Sequence, residues 1–227
     1  MRKTTYILTL FFLFQIANAQ THEIGVFAGG SNFIGDVGST DYINPRHVAF
    51  GLLYKWNVNP RYSWRLSAMQ SKVGGNDFAA ANTARKNRGL NFENTITEFS
   101  AGFEFNFFDF NLHKFGFVST PYLYSGVSYY LSDNLYTINK KHYSSGVSGG
   151  VALPIIAGFK AKISDNFILG LEAGARYTFS DDLDGSIPQK KEFKQYAFGN
   201  TNSKDWYVFT GLTLTYTFGN KPCYCND

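Results

Sequence analysis

Nowhere does this sequence hold roughly twenty apolar residues in succession, which excludes a membrane-spanning α-helix. Charge of one sign is also lacking. Lys and Arg exceed Asp and Glu by four, and the formal charge falls from +4 to +2 once Arg2 and Lys3 are discounted. So mild a basic balance gives nucleic acid no footprint, and no nucleic-acid partner is expected. Cysteine and methionine are scarce, with two of each. His22, His47 and His113 are scattered without metal-ligand spacing, so neither metal nor cofactor is expected. What the chain has instead is 23 Phe, 15 Tyr and 22 Gly, a composition that suits strands and tight turns.

The front of the chain reads as a leader. Arg2 and Lys3 precede the apolar run Tyr6–Ile16, and Ala17-Asn18-Ala19 follows. A basic start, a short apolar run and an A-x-A site describe a secretory signal peptide over residues 1–19, leaving Gln20 first. No Cys stands at the cut, so lipoprotein processing is not expected.

The stretch Phe167–Ser180 (FILGLEAGARYTFS) sets the pattern for the rest. One register holds Phe167, Leu169, Leu171, Ala173, Ala175, Tyr177 and Phe179. The other holds Ile168, Gly170, Glu172, Gly174, Arg176, Thr178 and Ser180. Period-two alternation is a strand with one apolar and one polar face. From Phe167 to Tyr177 is ten steps of about 3.3 Å, which a tilt near 40° shortens to about 25 Å along a membrane normal. Aromatics at both ends of an apolar band of that height are the signature of an outer-membrane barrel strand.

Seven further strands follow the same rule: Glu23–Ser31, His47–Trp56, Tyr62–Ser71, Thr95–Phe107, Phe117–Leu131, Val151–Ile163 and Trp206–Phe218. In Phe117–Leu131 the two faces are hard to separate, and Pro121 argues for a bulge or local break there. The connections alternate long and short. Lys72–Asn91, a polar stretch from Ser132 to about Gly146, and Asp181–Asp205 read as long loops, whereas Asn57–Pro60 and Ser164–Asn166 read as turns and Asp109–Phe115 as a shorter link. The fold expected is all-β, an eight-stranded antiparallel transmembrane outer-membrane β-barrel over residues 20–218. Its long loops would be extracellular, and both termini, with a tail at 219–227, periplasmic. A soluble barrel would turn its apolar register inward and its charges out. Here the charged register, with Lys55, Arg65, Glu98, Glu104, Lys160, Lys162, Glu172 and Arg176, must share a narrow lumen.

Eight strands leave an interior only wide enough for side chains. The lumen charges Glu98, Glu104, Glu172 and Arg176 therefore read as a plug of ion pairs, not a pore or a catalytic site. His142-x-Ser144 could pair as base and nucleophile, but a Ser/Tyr-rich loop tip with one His accounts for it, and no catalytic residue is assigned. Asp181-Asp182-x-Asp184-Gly185 has a faint Ca²⁺-loop look but lacks the spaced ligands and terminal Glu of an EF-hand, so it reads as a solvated junction. Beyond Phe218 the chain runs on to Cys223 and Cys225, its only cysteines, in an oxidising compartment. A bond between them would close a small, strained ring. Either at least one is bonded to another chain, or the pair is a reduced or strained C-x-C in a free tail.

Three segments resemble a known family. HEIGVFAGGSNFIGDVG (His22–Gly38), LPIIAGFKAKISDNFILGLEAGARYTFSDDLDGS (Leu153–Ser186) and TLTYTFGNKPCYC (Thr213–Cys225) are similar to the PorG barrels of the type IX secretion machinery of Bacteroidota. The resemblance implies a non-enzymatic outer-membrane component. It would organise a periplasmic ring built by a PorK-like lipoprotein and its PorN-like partner. It also implies that Cys223 or Cys225 forms a disulfide with that lipoprotein. The fold itself would not license this, since small barrels host many functions. The rival readings are a surface barrel with adhesive or ligand-binding loops and a lipid A-modifying enzyme.

Overall fold

The computed structural model describes residues 21–112, 114, 116–138, 141–187, 191–200 and 204–219. The leader at 1–19, His113 and the tail cysteines Cys223 and Cys225 lie outside them. The described chain forms β1 (Thr21–Ile34), β2 (His47–Asn59), β3 (Tyr62–Asn76), β4 (Asn91–Asn106), β5 (Ser119–Ile138), β6 (Lys141–Lys162), β7 (Phe167–Thr178) and β8 (Trp206–Phe218). Each strand pairs antiparallel with the next, and β1 closes on β8 from His22↔Phe218 to Ile34↔Trp206. The all-β, eight-stranded antiparallel barrel read from the sequence is the fold observed. Closure leaves the strands no unpaired edge within the barrel wall, which is what lets strands cross a bilayer.

The period-two reading fixes which side chains face lipid. Ile24, Val26, Leu52, Leu66, Val127, Leu169, Leu171, Leu212 and Leu214 all stand on the outer wall, exposed. Aromatics bracket this band. At the short-turn end Trp56 pairs with Trp64, and Tyr62 and Trp64 pack on Phe103 with ring centroids 5.4 and 5.7 Å apart. At the opposite end Tyr177 packs edge-on to Trp206 at 5.0 Å and to Phe179 at 5.3 Å. An uncompensated apolar outer face with two aromatic girdles places the strands in a membrane. No described helix is long and apolar enough to cross one.

Three expectations need correcting. The stretch from Ser132 to Gly146 is not a loop: β5 runs to Ile138 and β6 starts at Lys141. Pairing of β5 with β4 stops at Ser132, and that of β6 with β7 at Ala152, so the rest of this hairpin projects as a two-stranded ribbon. The bulge is at Asp133/Leu135 on that ribbon, not at Pro121, which pairs with Phe159 in regular register. The ladder gap lies instead between Ser125↔Ile155 and Ser128↔Ala152, opposite Pro154, which has no N–H to donate. The alternation of long and short links is also imperfect. Residues 107–118, at the short-turn end, form a link comparable to that at 35–46, and Phe110 from it is buried beneath the barrel.

The long links are structured. Lys72–Asn91, read as a loop, contains the end of β3, a 3₁₀ turn (Asp77–Ala79) and a one-and-a-half-turn helix, α1 (Thr83–Arg88). Asn82 caps α1 through the Ala84 N–H, and Gly89, at φ +66°, supplies the left-handed residue that ends it. The β7–β8 link carries a second 3₁₀ segment (Lys191–Tyr196), whose Phe193 stacks on Tyr136 of the ribbon at 4.1 Å. Beneath these loops Phe27, Phe33, Phe92, Ile96, Tyr130, Tyr207 and Phe209 form an apolar core inside the upper barrel, continuous with Val37, Leu90 and Leu183 from the loops.

Candidate functional site

The inward register carries two stacked polar layers. In the lower one, nearer the short turns, Glu104 on β4 accepts from Lys55 on β2 at 2.9 Å and from Lys160 on β6 at 2.6 Å. Arg65 on β3 reaches across the lumen to Glu172 on β7 with two N–H donors, at 2.8 and 2.9 Å. It also lies 3.6 Å from Glu104. Tyr122 donates its hydroxyl to Glu172 at 2.6 Å, and the Arg65 guanidinium stands over the Tyr124 ring at 5.0 Å. In the upper layer Arg176 faces Glu98 at 3.2 Å, Tyr207 donates to Glu98 at 2.6 Å, and Arg176 covers the Phe209 ring. All of these carboxylates and cations are buried.

Every sequence-assigned lumen charge, Glu98, Glu104, Glu172 and Arg176, thus stands inside with an opposite charge against it. Sequence reasoning missed the tyrosines that line the lumen beside these charges. Tyr122, Tyr124, Tyr130 and Tyr207 bring large rings with a polar tip into the lumen, and small residues opposite make room for them. A Cβ at Gly158 would stand 2.4 Å from the Tyr122 ring, and one at Gly150 2.4 Å from the Tyr130 hydroxyl. Phe110 closes the lower end, with Lys160 over its ring at 4.7 Å. Among the described residues the lumen is thus filled by paired charges, rings and a hydrophobic layer.

The opposite mouth is closed by the loops, and its chemistry is carboxylate-rich. Asp77 accepts from the Gly38 and Leu90 amides and from Arg88 Nε at 2.8 Å, locking the β1–β2 and β3–β4 links together. Burial works to raise its carboxyl, but Arg88 and those amides hold it below the usual range. Asp36 accepts from the Asn200 amide at 2.8 Å, which ties in the β7–β8 link. Asp181, Asp182 and Asp184 are buried, with Asp184 and Asp205 at 0% exposure, so the acidic run is not the solvated junction that its sequence suggested. Burial and the neighbouring Asp184 push the Asp181 carboxyl up to about 7. Burial, reinforced by Asp36, raises that of Asp184, and burial with Asp184 and Asp181 raises that of Asp205.

His142 and Ser144 do not engage each other. His142 Nδ1 shares a hydrogen bond with Thr137 Oγ1 at 2.9 Å, while the Ser144 hydroxyl turns to the Gly146 carbonyl. His22 bonds the Tyr54 hydroxyl at 2.8 Å within the lower girdle, and His47 lies 3.9 Å from Glu93.

A family described as a domain of unknown function, DUF6089, matches residues 2–227. The chain belongs to the DUF6089 family. No curated protein matches the sequence. The fold of this DUF6089 chain is similar to Ail, the attachment invasion locus protein of Yersinia pestis, solved with the heparin analogue sucrose octasulfate. That match has 14% identity and a TM-score of 0.47, covering 88% of this chain and 99% of Ail. It is also similar to Neisserial surface protein A, at 10% identity and TM-score 0.46, with 88% and 95% covered. A third similarity is to the N-terminal barrel domain of Pseudomonas aeruginosa OprF, at 12% and 0.45, with 88% and 98% covered. Likeness of this degree concerns fold alone, that of an outer-membrane β-barrel.

Proposed function

We propose that this outer-membrane barrel is a non-enzymatic anchor that organises a periplasmic ring of the type IX secretion machinery. The ring would be of the PorK/PorN type, with Cys223 or Cys225 bonded to the ring lipoprotein. The observation that carries the reading is the filled lumen. A barrel with no path through it works by its surfaces and its ends, and the sheet ends at Phe218, five residues before Cys223. The similarity of the first strand, the Arg176–Asp184 corner and the tail to the PorG barrels supports the choice of machinery. In this reading the end that carries Pro60–Arg61, 163–166 and Phe218 is periplasmic and the interlocked loops are extracellular. A lipoprotein held in the same leaflet would meet the tail at raised effective concentration, which favours a covalent contact.

The test is purification in detergent without reductant. A covalent complex with a periplasmic lipoprotein is expected, absent when Cys223→Ser and Cys225→Ser are combined, with secretion weakened while the barrel still inserts. Full occupancy of an intrachain Cys223–Cys225 bond, with secretion intact in the double variant, would refute the proposal. A second reading, a surface barrel with ligand-binding loops, is favoured by the three-loop closure of the mouth around Asp36, Asp77 and Arg88.

A further inference from the structure

The apolar outer wall is not evenly filled. Where β2, β3 and β4 run side by side, Leu52 pairs with Ala68 and Ala68 with Phe99, so a small side chain stands between two large exposed ones. Ala101, paired with Leu66, repeats the step one row lower. The result is an apolar hollow of about 600 Å³ that crosses from Ile24 on β1 to Tyr129 on β5. A second hollow of about 420 Å³ shares Leu52 and Ala68 with it and continues up the wall to Phe50, Gln70 and Thr97. Lys72, paired with Thr95, forms the next outward row.

Above that row opens a polar cleft of about 750 Å³, between the ends of these strands and the tip of the β5–β6 ribbon. Arg46, Lys141 and Glu93 are the charged residues that line it, with Asn76, Asn91 and His47 beside them. Lys72 pairs with Glu93 at 2.6 Å, which neutralises the one acid of the lining. Arg46 bonds the Ser39 hydroxyl at 3.3 Å, and among the described residues no carboxylate stands within ion-pair distance of Arg46 or Lys141. In strands tilted near 40°, the ten steps from Trp64 in the lower girdle to Gly74 in the cleft rise about 25 Å along the membrane normal. The cleft thus lies at the far membrane surface and the hollows lie inside the membrane. The six steps from Leu66 to Lys72 rise about 15 Å, half of a hydrocarbon core of about 30 Å.

A hollow one leaflet deep matches an acyl chain. A cationic cleft directly above it matches a phosphate, and Asn76, Asn91 and Glu93 add donors and acceptors suited to sugar hydroxyls. We propose that this face binds one phosphorylated glycolipid of the lipid A class, with an acyl chain along Ala68 and a phosphate against Arg46, Lys72 and Lys141. Of the secretion reading it uses only the orientation, which sets the leaflet; binding in detergent depends on neither.

The experiment takes the full mature chain, refolded in detergent without lipopolysaccharide, and titrates it with diphosphoryl lipid A under native mass spectrometry. One retained lipid A is expected, with retention about tenfold weaker for dephosphorylated lipid A and for phosphatidylglycerol, the loss set by one or two charge-assisted hydrogen bonds. Arg46→Gln combined with Lys141→Gln leaves the Lys72–Glu93 pair in place and should weaken lipid A by about the same factor. Ala68→Phe, which fills the hollow, should weaken it independently. Lys86→Gln on α1, a basic position at the same end but outside the cleft, should change nothing. Heat-modifiable migration confirms that each variant is folded; should Ala68→Phe fail to fold, the lipid comparison and the Arg46/Lys141 variant decide. Equal retention of phosphorylated and dephosphorylated lipid A, or of phosphatidylglycerol and lipid A, overturns the proposal. So does undiminished binding in the Arg46/Lys141 variant, or an equal loss in Lys86→Gln. Displacement of lipid A by an equal concentration of glucosamine 1-phosphate would make the cleft a site for a free anion and overturn it as well.

Discussion

Arg65→Met is the most direct probe of the packed lumen. Arg65 and Glu172 are joined by two hydrogen bonds of 2.8 and 2.9 Å at 0% and 1% side-chain exposure. Glu104 would keep Lys55 and Lys160 after the change, so the loss falls mainly on Glu172, left with the Tyr122 hydroxyl alone. At an effective dielectric near 20, unit charges about 4 Å apart attract by about 4 kcal/mol. Removing one partner of a buried pair typically costs about 3–5 kcal/mol, most of it the penalty on the stranded charge. A loss of that size is expected in reversible urea unfolding in bilayers. Glu172→Gln added to Arg65→Met should recover most of it, since the stranded charge is then gone. Equal stability of wild type and Arg65→Met, or no recovery in the double variant, would refute the reasoning that the lumen charges act as a matched set. Planar-bilayer recording of the same variants adds a second readout: wild type should not conduct.

Leu171, 57% exposed on the outer wall, should tolerate Arg poorly. Leu171→Arg is expected to cost about 2–4 kcal/mol at mid-bilayer, and unchanged unfolding would invert the register. Asp77→Ala should free the Gly38 and Leu90 amides and Arg88, a local loss of about 2–3 kcal/mol, moderated because the Arg88 side chain is 30% exposed. Hydrogen exchange at those two amides checks it. Because the Asp77 carboxyl is held below its usual range, the wild-type protection should be complete above about pH 4 and lost as pH falls through the folded value. With both tail cysteines changed to Ser, Lys86→Cys on α1 should react with an impermeant maleimide on intact cells and Asn59→Cys should not; the reverse pattern would invert the proposed orientation.

How much of this was legible depends on whether the signal is local. β7 could be read residue by residue, because Leu169, Leu171 and Ala173 alternate with Gly170, Glu172 and Gly174. β5 could not, because Tyr serves both faces: Tyr122, Tyr124 and Tyr130 point inward while Tyr129 stands in the outer girdle. The ribbon of β5 and β6 was missed since the Ser-, Asn-, Gly- and Tyr-rich sequence at 132–150 shows no sustained period-two apolar alternation. The signs of the lumen charges followed from register, but the partners did not, as Arg65 and Glu172 are 107 residues apart. The run Asp181-Asp182-x-Asp184 was visible in the sequence, but its burial left no local trace. Their environment arises when the links at 35–46, 77–90 and 179–205 dock, through bonds such as that of Asn200 to Asp36 across 164 positions.

The filled lumen also has a consequence for the cell that carries it. A hollow barrel taxes the envelope in proportion to its abundance, because each copy leaks ions and small toxins. A barrel stoppered by Arg65, Glu104, Glu172 and the tyrosines around them is expected to add no conductance however many copies are inserted. Its copy number would then escape the permeability ceiling that limits porins.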